Sequence, residues 1–176
     1  MLSIRRFAPG EWRLYRDLRL QALRESPDAF GSTFAREAER SDDDWALRLS
    51  RGATSPWELP LIAEVDGKAS GLAWARIEEG EPTVARLYQV WVAPERRRLG
   101  LGTALLDAAV GWARSSGAHT LVLDVAAGSS SPAAMRLYQR AGFVPIGEPK
   151  PLRPGSALLS QSMHLSLAPS SGQRSA

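Results

Sequence analysis

Apolar residues follow two rhythms along this chain, a three-to-four-residue period and a two-residue period, and these predict helices and strands respectively. Leu2 to Phe7 predicts a short first strand. From Pro9-Gly10-Glu11 onward, Leu14, Leu18 and Ala22 recur at four-residue spacing as one helical face, and Pro27 ends it. Ser41 followed by Asp42-Asp43-Asp44 predicts a helix N-cap with acids in the first turn, where the helix dipole favours them; that helix should run to about Ser50, with Gly52 to Pro60 as a loop. Leu61 to Val65 and Ala69 to Ile77 predict two strands joined at Asp66-Gly67, a hairpin signal. After a turn over Glu78 to Pro82, Thr83 to Val92 is apolar on both faces, as a central strand is, and Pro94 stops it. Gly100 to Ser115 predicts a helix with Leu101, Leu105, Ala108 and Trp112 on one face, closed by Gly117. His119 to Val125 predicts a buried strand, Gly128 to Ser131 a flexible loop, and Pro132 to Ala141 a short helix closed by Gly142. Phe143 to Ile146 and Ala157 to Leu167 are the last predicted strands, and Pro169 to Ala176 is a polar tail expected to be disordered.

Strands alternate with helices only in the second half, so the expected fold is one mixed α/β sheet and not a regular doubly wound one. The expected domain covers residues 1–167, with 168–176 as the tail. The 176 residues suit one domain, and 44% hydrophobic with 23% charged residues is ordinary for a soluble globular protein. No apolar run approaches the roughly 20 residues of a bilayer span, and Met1 to Arg6 offers no signal-peptide core, so the expected location is the cytoplasm with no membrane partner. There is no cysteine, which excludes disulfides, thiolate metal sites and a cysteine nucleophile. His119 and His164 lack ligand-spaced partners, and no metal is expected. The pI near 9.8 reflects arginine usage, since Lys68 and Lys150 are the only lysines. Apart from Arg96-Arg97-Arg98 the arginines are interspersed with acids, so a nucleic-acid partner is not expected.

The residues that carry chemistry lie where the long strand meets the long helix: Val90-Trp91-Val92-Ala93-Pro94-Glu95-Arg96-Arg97-Arg98-Leu99-Gly100-Leu101-Gly102-Thr103. A helix N-terminus leaves backbone N–H groups without partners and carries about half a positive elementary charge, so an anion is its natural occupant. Gly100 and Gly102 are expected to let phosphate oxygens approach, with Arg97 and Arg98 adding charge. The spacing is neither that of a P-loop nor of the G-x-G-x-x-G fingerprint.

Arg97-Arg98-Leu99-Gly100-Leu101-Gly102 resembles the [R/Q]-x-x-G-x-[G/A] motif of the GNAT superfamily of N-acetyltransferases, and Val90 to Pro94 resembles the strand that precedes it. Ala134-Met135-Arg136-Leu137-Tyr138 with Gly142-Phe143 resembles that family's A-x-x-L-Y-x-x-x-G-F signature. The likeness spans roughly residues 60 to 167, and the first helices fit the family's variable acceptor side. It implies a mostly antiparallel central sheet of about six or seven strands flanked by about four helices. A splayed parallel pair, Thr83–Val92 and His119–Val125, would hold acetyl-coenzyme A. Val90, Trp91 and Val92 would contact the pantetheine arm, and Arg97, Arg98, Leu99, Gly100, Leu101, Gly102 and Thr103 the pyrophosphate. The acetyl group would pass directly to a primary amine with no acyl-enzyme. Tyr138 would protonate the departing thiolate, and Asp124 would stand where some members carry a proton-relaying glutamate. Glu37, Glu78, Glu79 and Glu81 are alternative bases, while Arg86 occupies a position where other members place an acidic one. Ser131, seven residues before Tyr138, would replace the family's cofactor-contacting asparagine, or Ser129 would. Trp91 is expected either to line the acceptor pocket or to fill the core. The resemblance does not name the acceptor, a small molecule or a protein amine, and leaves a homodimer open. The second reading is a non-catalytic acyl-coenzyme A-binding regulatory module.

Overall fold

Alternation of side chains along the strands divides the interior into two cores, one on each face of a single twisted sheet. A computed structural model describes residues 1–128 and 132–167. Its elements run β1 Leu2–Arg6, α1 Trp12–Glu25, α2 Phe34–Ala38, α3 Asp42–Thr54, β2 Glu58–Val65, β3 Lys68–Ile77, β4 Val84–Val92, a 3-10 turn Pro94–Arg96, α4 Leu101–Ser115, β5 Thr120–Ala126, α5 Pro132–Arg140, β6 Val144–Pro145, β7 Lys150–Pro151 and β8 Leu159–Ser166. The sheet order is β1-β2-β3-β4-β5-β8-β6, with β7 also on β8. Every pairing is antiparallel except β4 with β5. Among the described residues the sheet thus holds eight strands, more than the expected six or seven, because the last hairpin breaks into the two-residue pieces β6 and β7.

On one face, Leu61 and Ala63 of β2, Ala73, Ala75 and Ile77 of β3 and Leu121 and Leu123 of β5 pack against Leu101, Leu105, Leu106 and Ala109 of α4. On the other face, Ile62, Leu72 and Trp74 meet Tyr15, Leu18, Ala22 and Leu23 of α1 and Trp45 and Leu49 of α3. Ser41 caps α3 by accepting the Asp44 N–H at 3.1 Å, a contact worth about 1 kcal/mol. The helix runs on through Gly52 to Thr54, past the expected end at Ser50. Gly52 lies directly on the Trp74 ring, where a Cβ would fall 2.2 Å from Cζ2. Packing holds a glycine inside the helix there despite its poor propensity. The short helix α2, absent from the predicted elements, is capped by Thr33, whose hydroxyl accepts the Arg36 N–H.

The feature that shapes the site is a bulge in β4. Leu87 and Trp91 are four residues apart and would share a face of a regular strand. Instead Leu87 lies in the α4 core and Trp91 in the α1 core. The register on β3 shifts between Leu72 and Trp74, and Gln89 takes a left-handed φ of 60°. One extra residue has been inserted, as in a β-bulge. Tyr15, buried in α1, donates its hydroxyl to Gln89 Oε1 at 2.9 Å and so pins the bulge to the helix.

Candidate active site

The bulge and the end of the β4–β5 ladder coincide. Parallel pairing covers Val84 to Leu87 against Thr120 to Leu123 and then stops. β5 keeps its other neighbour β8 through Ala126. Past Leu87, therefore, the edge of β4 that faces β5 has no strand partner among the described residues, and the two strands part into a cleft. Unpaired backbone groups along such an edge suit an extended amide-bearing ligand that adds as a strand.

The cleft widens into a cavity of about 510 Å³, reached by Leu87, Tyr88, Gln89 and Val90 from β4, Leu123, Asp124 and Val125 from β5, and Tyr138 from α5. Its outer wall is Arg19, Phe30, Glu37 and Arg48 from the first helices and Leu152 from the loop before β8. Arg153 of that loop donates to the Phe30 carbonyl at 2.8 Å and straps it over the α1–α2 connection.

The second element is the start of α4. Gly100 is its N-cap with φ 85°, a left-handed conformation that favours glycine. Arg98 is also left-handed, at φ 67°. Ala104 N–H makes the first helical bond, to the Gly100 carbonyl. The N–H groups of Leu101, Gly102 and Thr103 thus have no helical acceptor. Gly102 serves a purpose not foreseen: a Cβ there would sit 3.2 Å from Leu137 of α5. The missing side chain lets α5 approach, and through that contact the helix carrying Tyr138 is set against the turn.

Arg97, expected to contact the pyrophosphate, is bonded within the protein. Its Nε donates to the Val92 carbonyl at 3.1 Å and its Nη2 to Glu25 at 2.8 Å. Glu25 also accepts from Trp91 Nε1 at 2.9 Å. Burial alone would raise the Glu25 pKa, but hydrogen bonds from Ser26, Trp91 and Arg97 hold it below the usual carboxylate range. Arg97 is therefore neutralised and anchors the turn to α1. Arg98, Leu99 and Gly100 are exposed at the turn, outside the cavity, whose lining includes none of Arg97 to Thr103. Trp91 is 4% exposed within the α1 core and does not line the cavity. Of the two places open to it, the core is the one it takes, because the bulge turns it away from the cleft.

Tyr138 is 6% exposed, tilted against Phe143 at 5.8 Å between ring centroids, and lines the cleft. Burial pushes its phenol well above the ordinary range. Asp124 faces the cavity, exposed, and accepts from the Ser162 hydroxyl. Glu37, also in the lining, is 3% exposed. Burial would raise it, but the Ser32 hydroxyl and the Arg48 and Arg40 guanidiniums keep its carboxyl below the usual value, so it is a poor proton acceptor. Glu81 pairs with Arg86 at 2.8 Å and Glu78 with Arg76 at 3.6 Å; neither they nor Glu79 line the cavity. Ser129 and Ser131, and the tail from 168 on, lie outside the described residues. Among the described residues there is no cluster of metal-ligating side chains and no helix long and apolar enough to cross a membrane. Sequence reasoning missed the arginines of the cavity wall, Arg19 on α1, Arg48 on α3 and Arg76 on β3; nothing in the local pattern marked them as different from surface ones.

The family model for the acetyltransferase (GNAT) family matches residues 19–143. The mycothiol acetyltransferase of Stackebrandtia nassauensis is 35% identical over 147 residues, 81% of this chain and 44% of that protein. That of Paenarthrobacter aurescens is 29% identical over 147 residues, covering 81% and 42%. The chain thus spans less than half the length of these curated relatives. A GNAT-family acetyltransferase from Streptococcus pneumoniae superposes with a TM-score of 0.78 at 24% identity over 96% of this chain and all of that one. A Salmonella typhimurium structure solved with its cofactor acetyl-CoA gives 0.76 at 20% identity over 100% and 99%. A spermidine N-acetyltransferase from Vibrio cholerae, in complex with CoA and spermine, gives 0.75 at 19% over 94% and 95%.

Proposed function

The chain belongs to the GNAT family of acetyltransferases, and from that premise we propose that it moves the acetyl group of acetyl-coenzyme A to a primary amine by direct attack in a ternary complex. The observation that carries this reading is the junction of two features: an unpaired strand edge beyond Leu87 and unpaired amides at Leu101, Gly102 and Thr103. A diphosphate on the α4 amides and a pantetheine arm along β4 at Val90 and Val92 would place a thioester in the cleft beside Tyr138. The coenzyme fits the residues present, since Gly100 opens the turn and Arg98 is exposed next to it.

An alkylammonium has a pKa of about 10.4, so near pH 7 only about one molecule in 10³ is free amine, and a proton acceptor or water relay helps by up to about 4 kcal/mol. Asp124 is the carboxylate that both faces the cavity and remains outside an arginine pair. In the reaction the amine nitrogen bonds to the thioester carbonyl carbon and the developing oxyanion takes a backbone N–H of β4. The nitrogen gives up a proton to Asp124, directly or through water, the C–S bond breaks, and the departing sulfur takes a proton from the Tyr138 hydroxyl, which is reprotonated from solvent after release. A phenol raised by burial stays protonated at working pH, as that role requires.

Following free thiol while acetyl-coenzyme A meets a panel of primary amines tests the reading. Turnover with at least one amine is expected. Calorimetric binding of the coenzyme without turnover on a broad panel would instead establish the non-catalytic binding module, which Arg86 in place of an acidic residue keeps as the second reading.

A further inference from the structure

Arg19 is 4% exposed on α1, and its Nε and Nη1 are buried with no hydrogen-bond partner among the described residues. Its guanidinium carbon lies 4.7 Å from the centre of the Phe30 ring, and the side chain lines the cavity. The Phe30 ring backs the guanidinium; Nε and Nη1 are sealed from water, and Nη2, which is not, is the nitrogen a ligand in the cavity meets first. The nearby carboxylate does not satisfy the guanidinium. Glu37 Oε1 accepts from Ser32 at 2.9 Å, and Oε2 accepts from Arg40 at 2.8 Å and Arg48 at 3.2 Å. A buried cation without partners costs stability, and such groups in folded proteins call for an explanation.

We propose that Arg19 receives a carboxylate of the acceptor, so that the substrate is a small amino carboxylate whose amine lies at the β4–β5 cleft and whose carboxylate lies on the α1 wall. This rests on the acetyl-transfer reading and specifies its acceptor. A carboxylate would take two parallel hydrogen bonds from one edge of the guanidinium, Nη2 with either Nε or Nη1, and so give one of the two orphaned nitrogens its partner. On the same wall Arg48 is paired with Glu37 and Arg76 with Glu58 and Glu78, which leaves Arg19 as the lining cation without a carboxylate among the described residues. At the other end Asp124 faces the space where an ammonium would enter. Polyamines, cationic at both ends, would set a charge against the arginine wall. The loop strapped by Arg153 closes the cavity over Phe30 with Leu152, which suits a free small molecule.

The test uses matched pairs. The proteinogenic α-amino acids, β-alanine and 4-aminobutyrate are assayed by thiol release, each beside its carboxamide, with spermidine and O-phosphoethanolamine as further acceptors. A site built around a buried polar group rejects the analogue lacking the complement strongly, so kcat/KM for the preferred carboxylate should exceed that of its amide by about 10²-fold, mostly through KM. Arg19→Met should bring that ratio to within about threefold of one, and Arg19→Lys, which keeps the charge but not the fork, should fall between. Thermal unfolding of Arg19→Met should show a midpoint at or above that of the parent, since an unpaired buried charge is gone. The proposal is overturned if amides match carboxylates in the parent enzyme, if Arg19→Met preserves the ratio, or if only spermidine or O-phosphoethanolamine is acetylated. In each of those cases acetyl transfer itself stands. Absence of both coenzyme binding and turnover with every acceptor would bring down this inference together with the reading it rests on.

Discussion

Removing the phenolic oxygen of Tyr138 separates chemistry from folding in one substitution. The hydroxyl makes no hydrogen bond to any described residue, while the ring packs on Phe143 at 5.8 Å and is 6% exposed. Tyr138→Phe keeps the ring and deletes a polar atom without a partner, so stability should change by less than about 1 kcal/mol. The thiolate would then leave without its proton donor. Positioned acids contribute roughly 10²- to 10⁴-fold, and a 10²-fold loss corresponds to about 2.7 kcal/mol of transition-state stabilisation. The expected result is therefore kcat lower by about 10²-fold, with the coenzyme Kd within about threefold of the parent's. The pH dependence has a definite sign. Burial raises the folded phenol above its unfolded value of about 10, so the protonated form persists across neutral and mildly alkaline pH. The stability linked to it is present below about pH 10 and lost above, as the unfolded state ionises first. An alkaline fall in kcat below pH 9 thus belongs to another group. Stopped thiol release measures kcat, calorimetry measures Kd, and urea unfolding measures stability. A rate within about threefold of the parent's, with the fold intact, refutes the acid role.

Three further substitutions test the framework around the site. Gly52→Ala would gain about 1 kcal/mol of helix propensity, but its Cβ would overlap Trp74 Cζ2 at 2.2 Å. The ring is pinned by Glu58 at 2.7 Å and edged by Tyr15 at 5.2 Å, so overpacking of about 1–3 kcal/mol prevails and urea unfolding should show a net loss; a gain would mean the ring yields freely. Glu37→Gln should cost about 1–2 kcal/mol at pH 7, because a buried carboxylate is lost from pairs whose arginines keep about a third of their surface in water. The folded pKa of Glu37 is depressed, so the parent's advantage is present above about pH 4.3 and shrinks as pH falls below it, and parallel acid titrations of stability would reveal a constant gap if that assignment is wrong. Gly71→Ala would put a Cβ 2.7 Å from the Trp91 carbonyl oxygen; shifting β4 there should weaken coenzyme binding by roughly tenfold, a change of about 1.4 kcal/mol, and unaltered calorimetry would show that β4 beyond the bulge does not hold the ligand.

The sequence made legible what depends on local pattern. The hairpin at Asp66-Gly67, the Ser41 cap, the β4-to-α4 turn and the Tyr138 helix all fall where periodicity and punctuation put them, and the mixed sheet follows from their order. What stayed hidden depends on distant neighbours. Gln89 is no usual bulge residue, and its conformation is held by Tyr15, 74 positions away. Without the bulge, strand parity cannot tell which core takes Trp91. The basic neighbours of Arg97 point to a phosphate, but its ion pair with Glu25, 72 positions earlier, is invisible in the local sequence. α3 continues through Gly52 because Trp74 fills the space beside it. Arg19 reads as one more polar face residue of α1 until the cavity around it is seen.

The proposed function has free amides at the start of α4 hold the diphosphate of the coenzyme and direct its thioester into the β4–β5 cleft. A crystal structure of the chain with acetyl-coenzyme A tests it most directly. Diphosphate oxygens are expected within about 3 Å of the N–H groups of Leu101, Gly102 and Thr103, with the acetyl group between Val90 and Tyr138. Coenzyme lodged away from α4, with those amides facing water, would contradict it.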